Sequence, residues 1–448
     1  MSAQQNLMIE GSIPKKILAF AFPLFIGNLF QQLYNTADSL IVGNFVGSSA
    51  LAAVSSAGNL IFLITGFFIG LSVGAGVVIS TYLGAGKKLH VKLAVHTSIA
   101  LGILCSILMT FIGVVFAPQA LLLMGTPKSV LYESVVYFRI YFWGATGMVM
   151  YNTFVAVLQS AGDSKHPLYY LIISSIINVV LDLLFIKVMH YGVGAAALAT
   201  TISQFISAIL ALVRLLKTDS LVKLVIKDIK FNPFMLRKII KIGLPSAFQN
   251  SIIGFANVVV QTFVNYFGQM AIAGIGAYSK IEGFVFLPIT SFAMALTTFV
   301  GQNVGAKRFD RVKKGTIFGL TCSMATAEFI GIIMFFFSDP MIAAFDSNPS
   351  VVFYGTQRSK ICALFFFALA FSHISASHFR GIGKSTTPMF VMLICWCIIR
   401  VLILFVCGYV HPSILTTHWV YPITWILSSI MFIWMFIKEK KDYNKISI

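Results

Sequence analysis

The sequence predicts an all-α membrane protein of twelve transmembrane helices arranged as two pseudo-symmetric six-helix bundles. Three observations predict it. Apolar stretches of 20 or more residues recur from one end of the chain to the other. Lys and Arg collect in alternate loops. The second half echoes the first at an offset of 221 residues.

Of the 448 residues, 58% are hydrophobic and 10% are charged, against about 25% charged in a soluble protein. Each apolar stretch is long enough to cross a hydrocarbon core of about 30 Å as a helix. In order, spans are expected near 17–42, 53–82, 91–117, 132–158, 167–188, 193–216, 239–266, 273–303, 312–337, 352–379, 387–409 and 419–437. No polar stretch is long enough for a separate soluble domain. The longest polar interval is 217–238, read either as a basic amphipathic surface helix or as a solvated linker. The six cysteines form no CxxC and lie in apolar runs, so they read as small buried helix residues rather than metal ligands.

The net charge of +18 is topological rather than a sign of nucleic-acid binding. Roughly 25 of the 32 basic residues fall on one side: Lys15 and Lys16, the turn at 84–92, Lys165, the 214–241 connector, the turn at 305–314, Arg380 with Lys384, and the tail. The opposite loops hold chiefly Lys128 and Lys187. That asymmetry places both termini in the cytoplasm and the basic loops against anionic headgroups. The apolar run after Lys16 is too long for a cleavable signal. A multi-pass protein of the cell membrane is expected.

The repeat divides the chain into an amino-terminal six-helix lobe, 1–220, and a carboxy-terminal one, 221–448. At the offset of 221, Gly47 falls on Gly268, Gly84-Ala85 on Gly305-Ala306, Lys92 on Lys313, and Gly162, Ser164 and Pro167 on Gly383, Ser385 and Pro388. Pro23 meets Pro245 after a one-residue gap. Six crossings is an even number, so both halves enter from the same face, about an axis along the membrane normal. Transporters built this way place their site near mid-membrane.

Polar stripes run along several apolar helices. Asn28, Gln31, Asn35 and Asp38 step by 3, 4 and 3 and share one face. Ser174, Asn178 and Asp182 step by 4, as do the amides Asn257, Gln261 and Asn265. Thr200, Gln204 and Ser207 step by 4 and 3. Lipid satisfies none of these groups, so the stripes face protein or water. A carboxylate at a helix centre costs about 2.5–3.5 kcal/mol, which sets Asp38 and Asp182 apart from amides that serve as helix–helix glue. Plainer readings stand beside these: Asp38 as a solvated interfacial residue about 33 Å beyond Lys16, Asp182 as the partner of Lys187. Arg139, Lys280, Glu328, Arg358, Lys360 and Arg400 read as snorkelling or ion-paired edges. His373 and His378, five apart, lie on different faces. Gly66, Gly70, Gly74 and Gly76 favour close helix packing, and Pro23 permits a bend in the first helix.

Read together, QQLYNTADSLIVGNFVGSSALAAV (31–54), GAGKK (84–88), LQSAGDSKHP (158–167), INVVLDLLFI (177–186), GVGAAALAT (192–200), GLPSAFQ (243–249), VGAK (304–307) and FRGIGKSTTP (379–388) resemble the multidrug and toxic compound extrusion (MATE) family over essentially the whole chain, closest to its DinF-like prokaryotic branch. The resemblance implies two six-helix lobes forming a V. It implies efflux of organic, mainly cationic, compounds or drugs by alternating access in exchange for H+ or Na+, by a monomer in a lipid bilayer, with no cofactor beyond the coupling ion. It assigns Asp38 to the coupling carboxylate, Gln31, Asn178, Asp182 and Thr200 to its polar partners, and Pro23 to the first-helix bend. Na+, if used, would sit at Asp38, Asn178, Asp182 and Thr200. Asn35, Asn152, Gln204, Asn257, Gln261 and Glu282 are further candidates for the cavity wall.

The family's NorM-like branch uses carboxylates in the carboxy-terminal lobe. Here the seventh span offers Gln249 and Asn250, and the tenth offers no acid, so coupling is expected in the amino-terminal lobe. A lipid-linked precursor flippase of the same superfamily is the alternative, and would want a cationic cavity. A membrane-embedded enzyme is the rival class. HExxH, paired Asp-rich motifs and a phosphate-binding GxxxxGKS loop are all missing.

Overall fold

In a computed structural model the chain is described from residue 7 to residue 446, apart from 124, 125, 127, 411 and 412. The side chains at 39–40, 43–44, 48–49, 51–53, 55–56, 58–59, 128–129, 408–410 and 440–446 lie outside the described set, among them Lys128 and most of the basic tail. Among the described residues there are helices and no strand. The first half contains α1 (Ile13–Phe45), α2 (Ser48–Gly84), α3 (Lys88–Val115), α4 (Ala117–Leu123), α5 (Lys128–Trp143), α6 (Ala145–Ser160), α7 (Lys165–Asp182) and α8 (Gly194–Lys217). The second contains α9 (Pro233–Asn265), α10 (Gln269–Gly305), α11 (Phe309–Ala343), α12 (Pro349–Ala363), α13 (Phe366–Gly381), α14 (Thr386–Met392), α15 (Arg400–Val410) and α16 (Ile414–Ile446). A π-helical turn, Leu183–Val188, follows α7, and another, Leu393–Ile399, joins α14 to α15.

Ten helical segments are long and apolar enough to cross a membrane, and α12 with α13, bent by 58°, reads as an eleventh. The remaining expected span, 132–158, is occupied by α5 and α6 with a break at Gly144. At the break Gly144 leaves no room for a Cβ against the Thr201 side chain of α8, and the Thr201 hydroxyl donates to the Ile140 carbonyl (3.4 Å). Large apolar side chains such as Ile107, Phe111, Phe329 and Phe336 remain exposed, as a lipid-facing surface requires.

The repeat is visible in the backbone. α2 and α10 are both 37 residues long, and α5, α6 and α11 have their counterparts at the same offset as the sequence matches. Left-handed residues recur as well: Gly47 with Gly268, Gly162 with Gly383, and Gly86 with Lys307, which holds φ 57 where the first half uses glycine. Duplicated turns with duplicated lengths give each half the same order of helices.

The chain divides into two compact units. One holds Leu18–Ala247 with Met1–Gly11 and Gly301–Arg308; the other holds Phe248–Val300 and Phe309–Ile448 with Ser12–Ile17. In the first, α6 packs on α8, α2 and α3 around Phe138, Phe142, Met109, Ile79 and Val157. Gly70 and Gly74 of α2 lie so close to Ala247 and Gly243 of α9 that an added Cβ would meet backbone. The Met8 amide donates to Gln302 Oε1 (2.7 Å), and Asn303 Nδ2 donates to the Met8 carbonyl. In the second unit, α11 packs on α12 and α13, and α13 on α16. Tyr278, Phe366, Trp396 and Trp425 are among its large core side chains.

The connector is neither of the two expected forms. It is an ordered segment with one 3-10 turn, Ile226–Asp228, docked on α3. The Val225 amide donates to His96 Nε2 (3.1 Å) and the Asn232 amide to Thr97 Oγ1 (3.2 Å), while Val222 and Leu224 are buried. Buried apolar side chains and backbone bonds to a helix hold it more firmly than charge against headgroups would.

Candidate functional site

Asp38 and Asp182 come together in the first unit. Asp38 lies seven residues from the end of α1, and Asp182 is the last residue of α7, where the π turn begins. Their side chains are within hydrogen-bonding reach of each other. Asp38 Oδ1 and both Asp182 oxygens are sealed from solvent and accept from no donor among the described residues. Asn178, one turn before Asp182, gives Nδ2 to Thr200 Oγ1 (3.4 Å) and leaves its own Oδ1 buried without a partner. Four oxygen acceptors therefore lie without donors on α1 and α7. Leaving such acceptors unmet costs about 1–3 kcal/mol each, more when charged. A proton or a hard cation bound among them removes that cost.

The pairing of Asp182 with Lys187 does not occur: the Lys187 ammonium lies over the Phe45 ring at 5.4 Å. Asp38 is only partly exposed, which does not suit a merely solvated residue.

Two tyrosines missed by the stripes, Tyr34 and Tyr137, lie near the pair, with Tyr141 beside them. Tyr34 and Tyr137 lie within electrostatic range of Asp38, and Gln31 reaches the Tyr34 hydroxyl. Gln204 reaches the Tyr141 hydroxyl. Tyr34 precedes Asp38 by four residues, and Tyr137 precedes Tyr141 by four. That periodicity was available in the sequence, but aromatic residues in a membrane helix carry little signal by themselves. Of the other candidates, Asn35 is exposed on the same helix and Pro23 is buried two turns before Gln31. Asn152 donates to the Met148 carbonyl of its own helix (2.9 Å).

Asn257, Gln261 and Glu282 belong to the second unit and form no part of this pair. Gln261 donates to Asn265 Oδ1 (2.9 Å). Asn257 accepts from Arg400 Nη1 and from the Tyr421 hydroxyl, both at 3.3 Å. Glu282 accepts from the Tyr278 hydroxyl (2.7 Å). Several residues read as edges have ordinary partners: Arg139 donates to the Val114 carbonyl, Lys360 pairs with Asp339 (3.0 Å), and Glu328 accepts from the Phe367 amide. His378 is held by Thr316 (2.8 Å) and Glu439 (3.0 Å), and its neighbour His373 packs edge-on to Phe286 and Trp396.

A bundle of membrane-length helices that buries donorless carboxylates between two of them has the architecture of a membrane transporter. The MatE family model matches the chain twice, over residues 23–184 and again over 245–406, beginning each time at one of the paired prolines Pro23 and Pro245. The chain belongs to the MatE family, a family of transporters rather than enzymes. The probable multidrug resistance protein YoeA of Bacillus subtilis is 26% identical over 97% of this chain and 96% of its own length. The multidrug export protein MepA of Staphylococcus aureus is 24% identical over 88% of this chain and 87% of its own length. A solved MOP superfamily transporter from Pyrococcus furiosus, described as having a binding pocket of reverse polarity, has the same fold. Its TM-score is 0.91 at 20% identity, covering 98% of both chains.

Proposed function

We propose that this protein is a cation-coupled multidrug efflux antiporter of the cell membrane, with both termini cytoplasmic. It exports organic, mainly cationic, compounds by alternating access. Relatives named for multidrug resistance and export support the substrate class, and the basic loops support the orientation. The observation that carries the coupling is the set of buried, donorless oxygens on Asp38, Asp182 and Asn178.

Asp38 and Asp182 hold the coupling ion. Their mutual approach favours a shared proton, one carboxyl donating to the other. The same oxygens with Thr200 form an all-oxygen donor set that also suits Na+, a hard cation. Either ion neutralises the site, and helix α1 bends at Pro23 in response. A cationic drug and the coupling ion then occupy the acidic bundle by turns. The protein works as a monomer.

The test is ethidium efflux from proteoliposomes under a pH gradient or a sodium gradient imposed separately. Efflux is expected with the pH gradient, and Asp38→Asn is expected to abolish it with the protein still in the membrane at normal level. Wild-type efflux by Asp38→Asn would overturn the assignment. Drive by sodium alone would move the coupling ion to Na+ at the same residues.

A further inference from the structure

The second unit buries two guanidinium groups that the coupling reading does not use. Arg358 of α12 is 4% exposed and Arg400 of α15 is 1% exposed. The Arg358 guanidinium lies over the Tyr421 ring at 4.5 Å and the Tyr278 ring at 5.2 Å. Arg400 lies over Tyr421 at 4.3 Å and Trp396 at 5.6 Å. Arg400 donates Nη1 to Asn257 and Nη2 to Thr424 Oγ1 (3.0 Å), with Nε buried and without an acceptor. Arg358 is more exceptional. Among the described residues nothing accepts a hydrogen bond from it, no carboxylate pairs with it, and its Nε is sealed from solvent. Its guanidinium fork thus stands against two rings with Nε sealed and no protein acceptor among the described residues.

Glu282 is the carboxylate whose charge acts on both guanidinium groups. It accepts from Tyr278 and makes no ion pair with either. Two positive charges against one negative leave the cluster about one charge in excess. Cation–π contact offsets part of the desolvation of an arginine, about 2 kcal/mol per good contact, but it does not satisfy a hydrogen-bond donor.

The internal repeat shows what this cluster corresponds to. At the offset of 221, Tyr137 falls on Arg358 and Thr200 on Tyr421. At the one-residue-longer offset that aligns Pro23 with Pro245, Asn35 falls on Asn257. The π turn Leu393–Ile399 adds one residue ahead of Arg400, which aligns Arg400 with Asn178. The turn Leu183–Val188 then restores the shorter offset before Thr200. Four positions around the acidic pair of the first unit thus correspond to Arg358, Arg400, Tyr421 and Asn257. The carboxylates themselves have apolar counterparts: Asp38 falls on Val260.

We propose that the Arg358–Arg400 cluster is a binding site for the oxyanion of an aromatic substrate, a carboxylate or a phosphate. The guanidinium forks donate to its oxygens, and Tyr278, Tyr421 and Trp396 hold its ring. The two halves present equivalent sites of opposite charge, and the transporter accepts aromatic anions and zwitterions as well as cations. Arginine suits this role because its planar donor fork matches an oxyanion while its face stacks on rings. The inference rests on the transporter reading but not on the coupling residues.

Equilibrium binding to the purified full-length protein tests it, with two dyes of one frame and opposite charge: fluorescein, an anion, and rhodamine 123, a cation. Arg358→Gln is expected to lower the ratio of fluorescein to rhodamine 123 affinity by roughly tenfold to a hundredfold, the worth of one or two charge-assisted hydrogen bonds. Arg358→Lys, which keeps the charge, is expected to restore most of the ratio. A purely structural arginine would lower both affinities together and leave the ratio unmoved, which would overturn the proposal. Should Arg358→Gln fail to fold, the wild type decides: 1-naphthoate must displace fluorescein and 1-naphthylmethylammonium must not. Equal displacement would overturn the proposal too. Asp38→Asn loses transport yet should keep fluorescein binding, so failure of the coupling reading and failure of this one are separable.

Discussion

Asp182 has both carboxylate oxygens buried and neither one bonded. A side chain in that condition is kept for function at the expense of stability. Asp182→Asn removes the charge and supplies an amide that donates to Asp38. It is expected to raise stability by about 1 kcal/mol or more while abolishing efflux, as read by thermal unfolding in detergent beside a transport assay. A less stable Asp182→Asn protein would show that the carboxylate already has a partner it needs. The stripes of Asp38 and Asp182 were legible because an acid in an apolar run stands out against lipid. Arg358 and Arg400 were not, and read as snorkelling edges. Sequence gives the depth of an arginine in a span but not the rings stacked on its face, and these two are held by residues from three other helices.

Among the helices, α2 shows what a glycine stripe does. Gly74 touches backbone of α9, so Gly74→Ala is expected to cost about 1–3 kcal/mol through overpacking. Gly276 of α10 has nothing within 4 Å of the place a Cβ would take. Gly276→Ala is therefore expected to be neutral or to stabilise by about 0.4–1 kcal/mol. Thermal unfolding of the pair measures the contrast; equal effects would mean that α2 and α9 do not meet at Gly74. The stripe was readable from its four-residue spacing, since that spacing places glycines on one face. The breaks at Gly144 and between α12 and α13 were not, because hydropathy runs through them unaltered. What packs against the break at Gly144 is a threonine 57 positions away in the chain.

Across the molecule, the repeat was the most legible feature, since duplicated turns fix helix lengths and hence the whole order of elements. The connector between the halves was the least. Its charges suggested a surface role, yet its apolar residues decide its place. Lys92 (2.6 Å away) holds exposed Asp228 below the usual carboxylate range. A carboxylate held low contributes stability above its unfolded-state value, and loses it as pH falls through the folded-state one. Because the pair is exposed, salt screens it. Asp228→Asn is thus expected to change little near neutral pH, while Leu224→Ala should cost about 2–4 kcal/mol. The reverse order in unfolding experiments would make charge the anchor. The two π turns carry a consequence of another kind. Each acts as a single extra residue, and the halves hold theirs at different depths. A chimera grafting 165–188 in place of 386–409 would therefore inherit the wrong phase. Everything between the two insertion points would be turned by about 100°, and the graft would face its polar residues at new neighbours while looking, by length and hydropathy, like a perfect copy.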